Sequence, residues 1–300
     1  MKIHYNQCPL CGHPEIITTI ECRDYLVSGE SYELCRCNGC YLEFTQDVPD
    51  ETETEKYYES ESYIPHSDSG KSLSDKIYYT IREVMLKRKK SLVTRATHKK
   101  IGRILDYGSG TGHFASVMKK AGWEVTGIEV SKKTRKYSSE KFGLNVFSPD
   151  MINSIPSGSF DCITMWHVLE HLHKPVELMA EIKRLLAPDG TAIIALPNNI
   201  SFDSIHYRHF WAAYDVPRHL WHFNPVSFIS FAARSGFEVL SVKRLPFDVF
   251  YISFLSEKYK RSHFPFIKGI IKGKLFYLLS LFDKTRSSSL IYVLRPLKSA

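Results

Sequence analysis

Cys8-Pro9-Leu10-Cys11 and Cys37-Asn38-Gly39-Cys40 are two C-x-x-C knuckles, each able to present two thiolates to one tetrahedral zinc ion. Six of the seven cysteines fall within the first 40 residues, and in a reducing compartment such crowding favours metal ligation over disulfides. Four sulfur ligands close the coordination sphere, so the zinc would be structural and would hold together a module too small for a full core. Cys35 competes with Cys37 as a ligand, Cys22 reads as a spare thiol and Cys162 as a core residue.

A second constellation is the run RILDYGSGTG, with glycines at 108, 110 and 112. Glycine permits a sharp turn and close ligand approach, and the helix that follows offers unpaired N–H groups to an anion. The spacing is GxGxG rather than the dinucleotide GxGxxG, and Asp106 stands just before the loop, where it can hold a cationic amino group. An amino-acid-bearing cofactor fits better than a pyrophosphate. Glu129 ends the next strand, in position for ribose hydroxyls, and Asp150 follows the third strand, in position for an adenine amino group. An acidic residue at a strand end is also a common turn or helix cap, a reading that weighs more on Asp150 than on Glu129.

Two histidine-rich stretches can move protons: WHVLEHLH, with His167, His171 and His173, and YDVPRHLWHF, with Tyr214, Asp215, Arg218, His219 and His222. A near-neutral imidazole suits proton abstraction from a hydroxyl or phenol, and a guanidinium suits a phosphate or carboxylate. His219 with Arg218 is the favoured catalytic pair and His171 the second candidate. Histidines after a strand also serve as caps or core hydrogen-bond partners, and Trp166, Trp211 and Trp221 read as packing.

The elements that must carry these residues alternate strand and helix after Ile101, the grammar of a parallel α/β sheet with helices on both faces. Strands are expected at RILDY, WEVTGIEV, Leu144–Ser148, FDCITMW, TAIIALPN, FEVLSVKRL and SSLIYVLR, a helix over Pro175–Ala187, and a turn at Pro188-Asp189-Gly190. Residues 1–48 form a separate cysteine-rich module. Residues 49–100 form an acidic linker followed by a helix with apolar Ile77, Ile81, Val84, Met85 and Leu92 and a basic run Lys87–Lys90. Residues 101–300 form the catalytic domain, with an amphipathic insertion at about 246–286 rich in lysine and aromatic residues.

LDYGSGTGHF, GIEVS, FDCITMWHVLEHL and YDVPRHLWHF together resemble class I S-adenosylmethionine-dependent methyltransferases of the small-molecule type over about residues 101–245. The resemblance implies a Rossmann-like seven-stranded sheet, with Asp106, Gly108, Gly110, Gly112, Glu129, Asp150 and Met151 around the cofactor and His167 facing the sulfonium. The cysteine module is similar to zinc ribbons ahead of sugar C-methyltransferases, which implies a nucleotide-sugar or glycan-precursor acceptor walled in part by YYESESY. Ribbons also precede some ribosomal RNA methyltransferases, and a quinone-pathway O-methyltransferase is a near variant.

Apolar residues make up 43% of the 300, and the formal net charge is +8, a globular composition that favours anionic partners without choosing among them. The acidic ribbon and linker argue against nucleic acid. No secretory signal and no run of ~20 apolar residues is present, so a cytoplasmic protein is expected. KGIIKGKLFYLLSLFDK can lie at a lipid interface, although helices packed on the sheet explain the same residues more simply. The sequence leaves the acceptor atom and oligomeric state open.

Overall fold

Strands buried on both faces need helices on both sides, and the topology supplies them. The computed structural model describes residues 1–58 and 73–297. In the N-terminal region these are strands β1 (Lys2–Ile3), β2 (Ile16–Arg23), β3 (Ser31–Cys37), β4 (Glu43–Thr45) and β5 (Val48–Pro49). Helix α1 (Leu73–Thr97) leads into β6 (Arg103–Tyr107), α2 (His113–Lys120), β7 (Glu124–Ile128), α3 (Lys132–Phe142), β8 (Asn145–Phe147), β9 (Phe160–Trp166), α4 (Pro175–Leu185) and β10 (Leu186–Pro197). Then come α5 (Phe202–Tyr207), β11 (Trp221–His222), α6 (Pro225–Arg234), β12 (Phe237–Arg244), α7 (Asp248–Tyr259), α8 (Pro265–Phe282) and β13 (Ser289–Pro296).

The central sheet has seven strands in the order β12-β13-β10-β9-β6-β7-β8. β13 runs antiparallel to both neighbours, and the pairings from β10 to β8 are parallel. Alternate side chains divide between two cores, as a period of two requires. Ile104, Cys162 and Ile193 meet Leu86, Leu92 and Val93 of α1 with Phe114 and Met118 of α2 on one face. Leu105, Ile163 and Ile194 meet Leu178, Met179 and Ile182 of α4 with Phe228 and Phe231 of α6 on the other. The expected turn at Pro188-Asp189-Gly190 is instead an irregularity inside β10, whose register against β9 shifts between Leu186 and Thr191. The chain bends there without leaving the sheet.

The cysteine-rich region builds an antiparallel sheet whose fourth strand is β11, donated from beyond β10: the order is β11-β4-β3-β2, with Trp221 opposite Phe44 and His222 opposite Glu43. Thr45 donates its hydroxyl to the His219 carbonyl at 2.8 Å, and the His173 ring reaches the Pro49 carbonyl at 2.9 Å. The segment YYESESY beyond Tyr58 lies outside the described residues.

Helices α7 and α8 stand between β12 and β13. Gly269 and Gly273 let α8 approach α7, since a Cβ at Gly269 would lie 2.5 Å from Phe254 Cα. The other face of α8 exposes Phe266, Ile267, Ile271 and Leu275. No helix among the described residues is long and apolar enough to cross a membrane.

Candidate functional site

The glycine loop sits where β6 ends and α2 begins, at the carboxyl edge of the sheet, where open α/β folds bind ligands. Gly108, Gly110 and Gly112 have φ of +74°, +52° and +77°, a region that side chains with a Cβ rarely adopt. Gly108 has a further reason to lack a side chain, because a Cβ would lie 2.3 Å from Val168 Cγ2. Above Gly110 there is nothing within 4 Å, so the loop leaves open space on its ligand side. The buried Ser109 hydroxyl has no hydrogen-bond partner among the described residues.

Glu129 is held by two backbone donors, with Gly110 N–H on Oε2 and Ser131 N–H on Oε1, each at 2.9 Å. Asp106 is buried and accepts the Thr164 hydroxyl at 2.7 Å. Burial lifts its carboxyl to about 6, against the opposing pull of Thr164 and the Lys89 ammonium. A cationic amino group placed here would restore the carboxylate. Asp150 and Met151 lie in the short helical turn Pro149–Ser154 after β8, both exposed. The loop, the fixed Glu129 and the two residues after β8 thus line successive strand ends, an arrangement that fits an adenosyl group carrying an amino acid.

His167 follows β9 directly, and its two ring nitrogens are both engaged, Nε2 with Asp248 at 2.9 Å and Nδ1 with Glu170 at 3.3 Å. Burial opposes its charge, but the bonds to Asp248 and Glu170 prevail and raise it to about 9. At neutral pH it is an imidazolium between two carboxylates, a group that leaves one net negative charge beside the loop.

On the far side of Glu170 lie His171 and His219, their rings edge to face with centroids 4.5 Å apart. His171 Nδ1 lies 3.1 Å from the Arg218 carbonyl and 2.9 Å from the Tyr58 hydroxyl. A carbonyl only accepts, so Nδ1 carries the proton and Nε2 keeps its lone pair. The same reasoning applies to His219, whose Nδ1 donates to the Ala213 carbonyl at 2.8 Å. Burial and the neighbouring His219 push His171 down to about 4, so it is neutral at physiological pH.

Arg218 requires a correction. Its side chain is 1% exposed and its guanidinium is consumed by Asp215 at 2.6 Å, Asp24 at 3.0 Å and the Tyr57 carbonyl at 3.4 Å. It clamps the cysteine-rich region to the sheet and presents nothing to a substrate phosphate. His222 is likewise buried and bonded to Thr45 at 2.9 Å. The residues that sequence reasoning missed are Thr164, Glu170 and Asp248, whereas Tyr58 was expected only as part of the YYESESY wall and not as the partner of His171. Glu170 had a local signal, lying between His167 and His171, whereas Asp248 reaches His167 across 81 residues and had none.

The Sγ atoms of Cys8, Cys11, Cys37 and Cys40 all lie within 4.8 Å of one another, with Cys8–Cys40 at 3.7 Å and Cys11–Cys37 at 3.6 Å. Sulfurs ~2.3 Å from a tetrahedral zinc stand about 3.8 Å apart, so this set fits the ion. Cys35 points elsewhere, 3.8 Å from the Thr18 hydroxyl, and Cys22 packs in the core with Tyr32 and Trp211.

A family model described as "Methyltransferase domain" matches residues 80–242, more than half of the chain. Ubiquinone biosynthesis O-methyltransferases are similar over a shorter stretch. That of Caulobacter sp. (strain K31) is 29% identical over 103 residues, 32% of this chain and 41% of the relative. That of Actinobacillus pleuropneumoniae serotype 7 is 32% identical over 108 residues, 32% of this chain and 46% of the relative. The chain therefore spans less than half the length of these relatives. A putative sarcosine dimethylglycine methyltransferase from Galdieria sulphuraria shares the fold with a TM-score of 0.50 at 14% identity, covering 74% of this chain and 88% of that one. The glycine loop with its carboxylates and the family match lead to one assignment: the chain belongs to the S-adenosylmethionine-dependent methyltransferases.

Proposed function

We propose that the protein methylates a small-molecule acceptor, a nucleotide sugar or related glycan precursor, with His219 taking up the acceptor's proton. The observation that carries this reading is the grouping of His171 and His219 beside Glu170, with Nδ1 of each imidazole held by a backbone carbonyl so that Nε2 keeps its lone pair. S-adenosylmethionine supplies a methyl group on a sulfonium, which is open to in-line displacement. The chain's own work is alignment and proton removal.

Asp106, Gly110 and Glu129 hold the amino-acid and ribose portions, and Asp150 with Met151 border the base. Asp248 and Glu170 keep His167 fixed at the strand end, and the excess carboxylate charge of this trio favours a cationic donor. His219 Nε2, which faces Asp215 Oδ2 at 3.9 Å, would accept the proton that the acceptor atom gives up on methylation. His171 stays neutral beside it and so adds no repulsion. Tyr58 orients His171, which makes His171 a positioning residue in this scheme. Zinc on Cys8, Cys11, Cys37 and Cys40 would stiffen the region that supplies Tyr58, and a cytoplasmic location suits a thiolate site.

The test is calorimetric titration of S-adenosylhomocysteine, followed by an acceptor screen that begins with nucleotide sugars and includes catechols. Cofactor binding with turnover of a nucleotide sugar supports the reading. Turnover confined to catechols would reassign the acceptor to the quinone class.

A further inference from the structure

A cavity of about 230 Å³ between α1 and the end of β12 gathers five cationic side chains, of which Lys89 also feels the charges of Asp106 and Asp248. Arg88, Lys89, Arg95, Lys243 and Arg244 line it over an apolar floor that includes Leu92 and Ile291. No carboxylate is part of the lining. Helical spacing explains the α1 contribution: positions 88, 92 and 95 lie one turn apart, with 89 beside 88, and share one face. Consecutive Lys243 and Arg244 close the opposite wall.

Like charges gathered in a concave site repel one another unless an anion is held among them. None of the five cations forms an ion pair with a carboxylate among the described residues. Arg88 lies over the Phe247 ring at 5.5 Å, Lys89 over the Trp166 ring at 4.1 Å and Arg244 over the Tyr277 ring at 5.4 Å. These ring contacts fix the cations while leaving N–H donors for a ligand. Arg244 spends one donor on the Ser280 hydroxyl at 2.9 Å and Arg95 one on the Ser91 carbonyl at 3.2 Å.

The cavity also has the right address. Arg244 pairs with Leu290, and Leu290 with Leu196 near the carboxyl end of β10, while Ala195 pairs with Trp166 at the end of β9. Lys89, over the Trp166 ring at the end of β9 and within the field of Asp106 and Asp248, connects this cavity to those strand ends.

We infer that this cavity is a phosphate subsite that holds the phosphate or diphosphate of the methyl acceptor, so that the acceptor belongs to the phosphorylated metabolites. The inference rests on the proposed small-molecule methylation and narrows its substrate class. Its size admits a phosphate or diphosphate between converging guanidinium groups, which grip such oxygens in pairs.

The experiment titrates inorganic pyrophosphate into the full zinc-loaded chain by calorimetry, in wild type, in Arg88→Ala/Arg95→Ala and in Lys243→Ala. Lys268→Ala/Lys274→Ala serves as a control of equal charge change, because both lysines are exposed on α8, away from the cavity. Each protein is also titrated with S-adenosylhomocysteine. Pyrophosphate affinity should fall at least tenfold in the Arg88/Arg95 variant and severalfold in Lys243→Ala, with the control and the S-adenosylhomocysteine affinities unchanged. Equal pyrophosphate binding in all four proteins would overturn the subsite. So would a single-stranded RNA oligomer that binds at least a hundredfold more tightly and resists pyrophosphate, since the cations would then serve a nucleic-acid backbone. Failure of wild type to bind S-adenosylhomocysteine, with its pyrophosphate binding intact, would instead sink the methyltransfer reading.

Discussion

The Tyr58 hydroxyl lies 2.9 Å from Nδ1 of His171, joining the cysteine-rich region to the segment after β9 across 113 residues. With the Arg218 carbonyl on the same nitrogen, it fixes the His171 tautomer, and the ring stands beside Glu170 and His219. Tyr58→Phe should therefore lower kcat by a few-fold while leaving cofactor affinity unchanged. His219→Asn should lower it by about a hundredfold or more, the scale of a lost general base. Retention of full activity by His219→Asn would remove that residue from the proton path.

Cofactor binding should depend on pH through Asp106. Its carboxyl titrates near 6 in the folded protein because it is buried, above the ordinary 3.8. The ionised form attracts the amino group of the cofactor, so affinity should fall as pH drops from 7 through 6. Asp106→Asn should bind about tenfold more weakly at pH 7 and show no such dependence. Calorimetry at pH 5.5, 6.5 and 7.5 separates the two outcomes.

Stability should fall in acid because of His171. Its folded value near 4 lies below the unfolded value near 6.5, so the unfolded chain binds more protons between them. The stability His171 contributes is present above about 6.5 and is lost as pH falls towards 4. Urea midpoints should drop between pH 7 and pH 5, and His171→Asn should flatten that slope. An unchanged slope in the variant would assign the acid sensitivity elsewhere.

Removing the Arg218 side chain should be costly without touching the cofactor. Arg218→Ala removes the guanidinium from the Asp24 and Asp215 carboxylates and leaves buried Asp24 with only the N–H and hydroxyl donors of its own loop, a loss on the order of 3–5 kcal/mol. Conversely, Cys37→Ser should abolish the bound zinc while Cys35→Ser retains one ion per chain, because Cys35 is outside the sulfur cluster. Metal analysis with thermal unfolding reads both.

The apolar outer face of α8, with Phe266, Ile267, Ile271 and Leu275 exposed beside Lys268 and Lys274, should dock on anionic bilayers. Flotation with phosphatidylglycerol vesicles should retain the protein at low salt, and Ile271→Glu/Leu275→Glu should release it. Equal flotation of the variant would show that α8 is not the contact.

Short-range pattern was enough for everything that a single stretch of chain can specify. Glycines 108, 110 and 112 announced a tight turn because glycine alone adopts such positive φ angles without strain, and Gly108 in addition leaves room for Val168. Continuous apolar runs alternating with helical segments announced the strands, and C-x-x-C spacing announced Cys8, Cys11, Cys37 and Cys40, since a knuckle is built from four consecutive residues. The same pattern misread Pro188-Asp189-Gly190 as a turn, because pairing to β9 carries the strand through it.

What the fold alone decided concerns partners distant in sequence. An arginine near histidines in YDVPRHLWHF has the composition of an anion site, but Asp24, 194 residues away, occupies its guanidinium. Asp248 was invisible as a partner of His167, as was the return of β11 to the cysteine-rich sheet. The cations of α1 read locally as an exposed basic run, and only the fold sets Lys243 and Arg244 of β12 beside them at one cavity. Propensity and spacing act over a turn or a strand, whereas burial and electrostatic partnership are fixed by chain crossings that no local window contains.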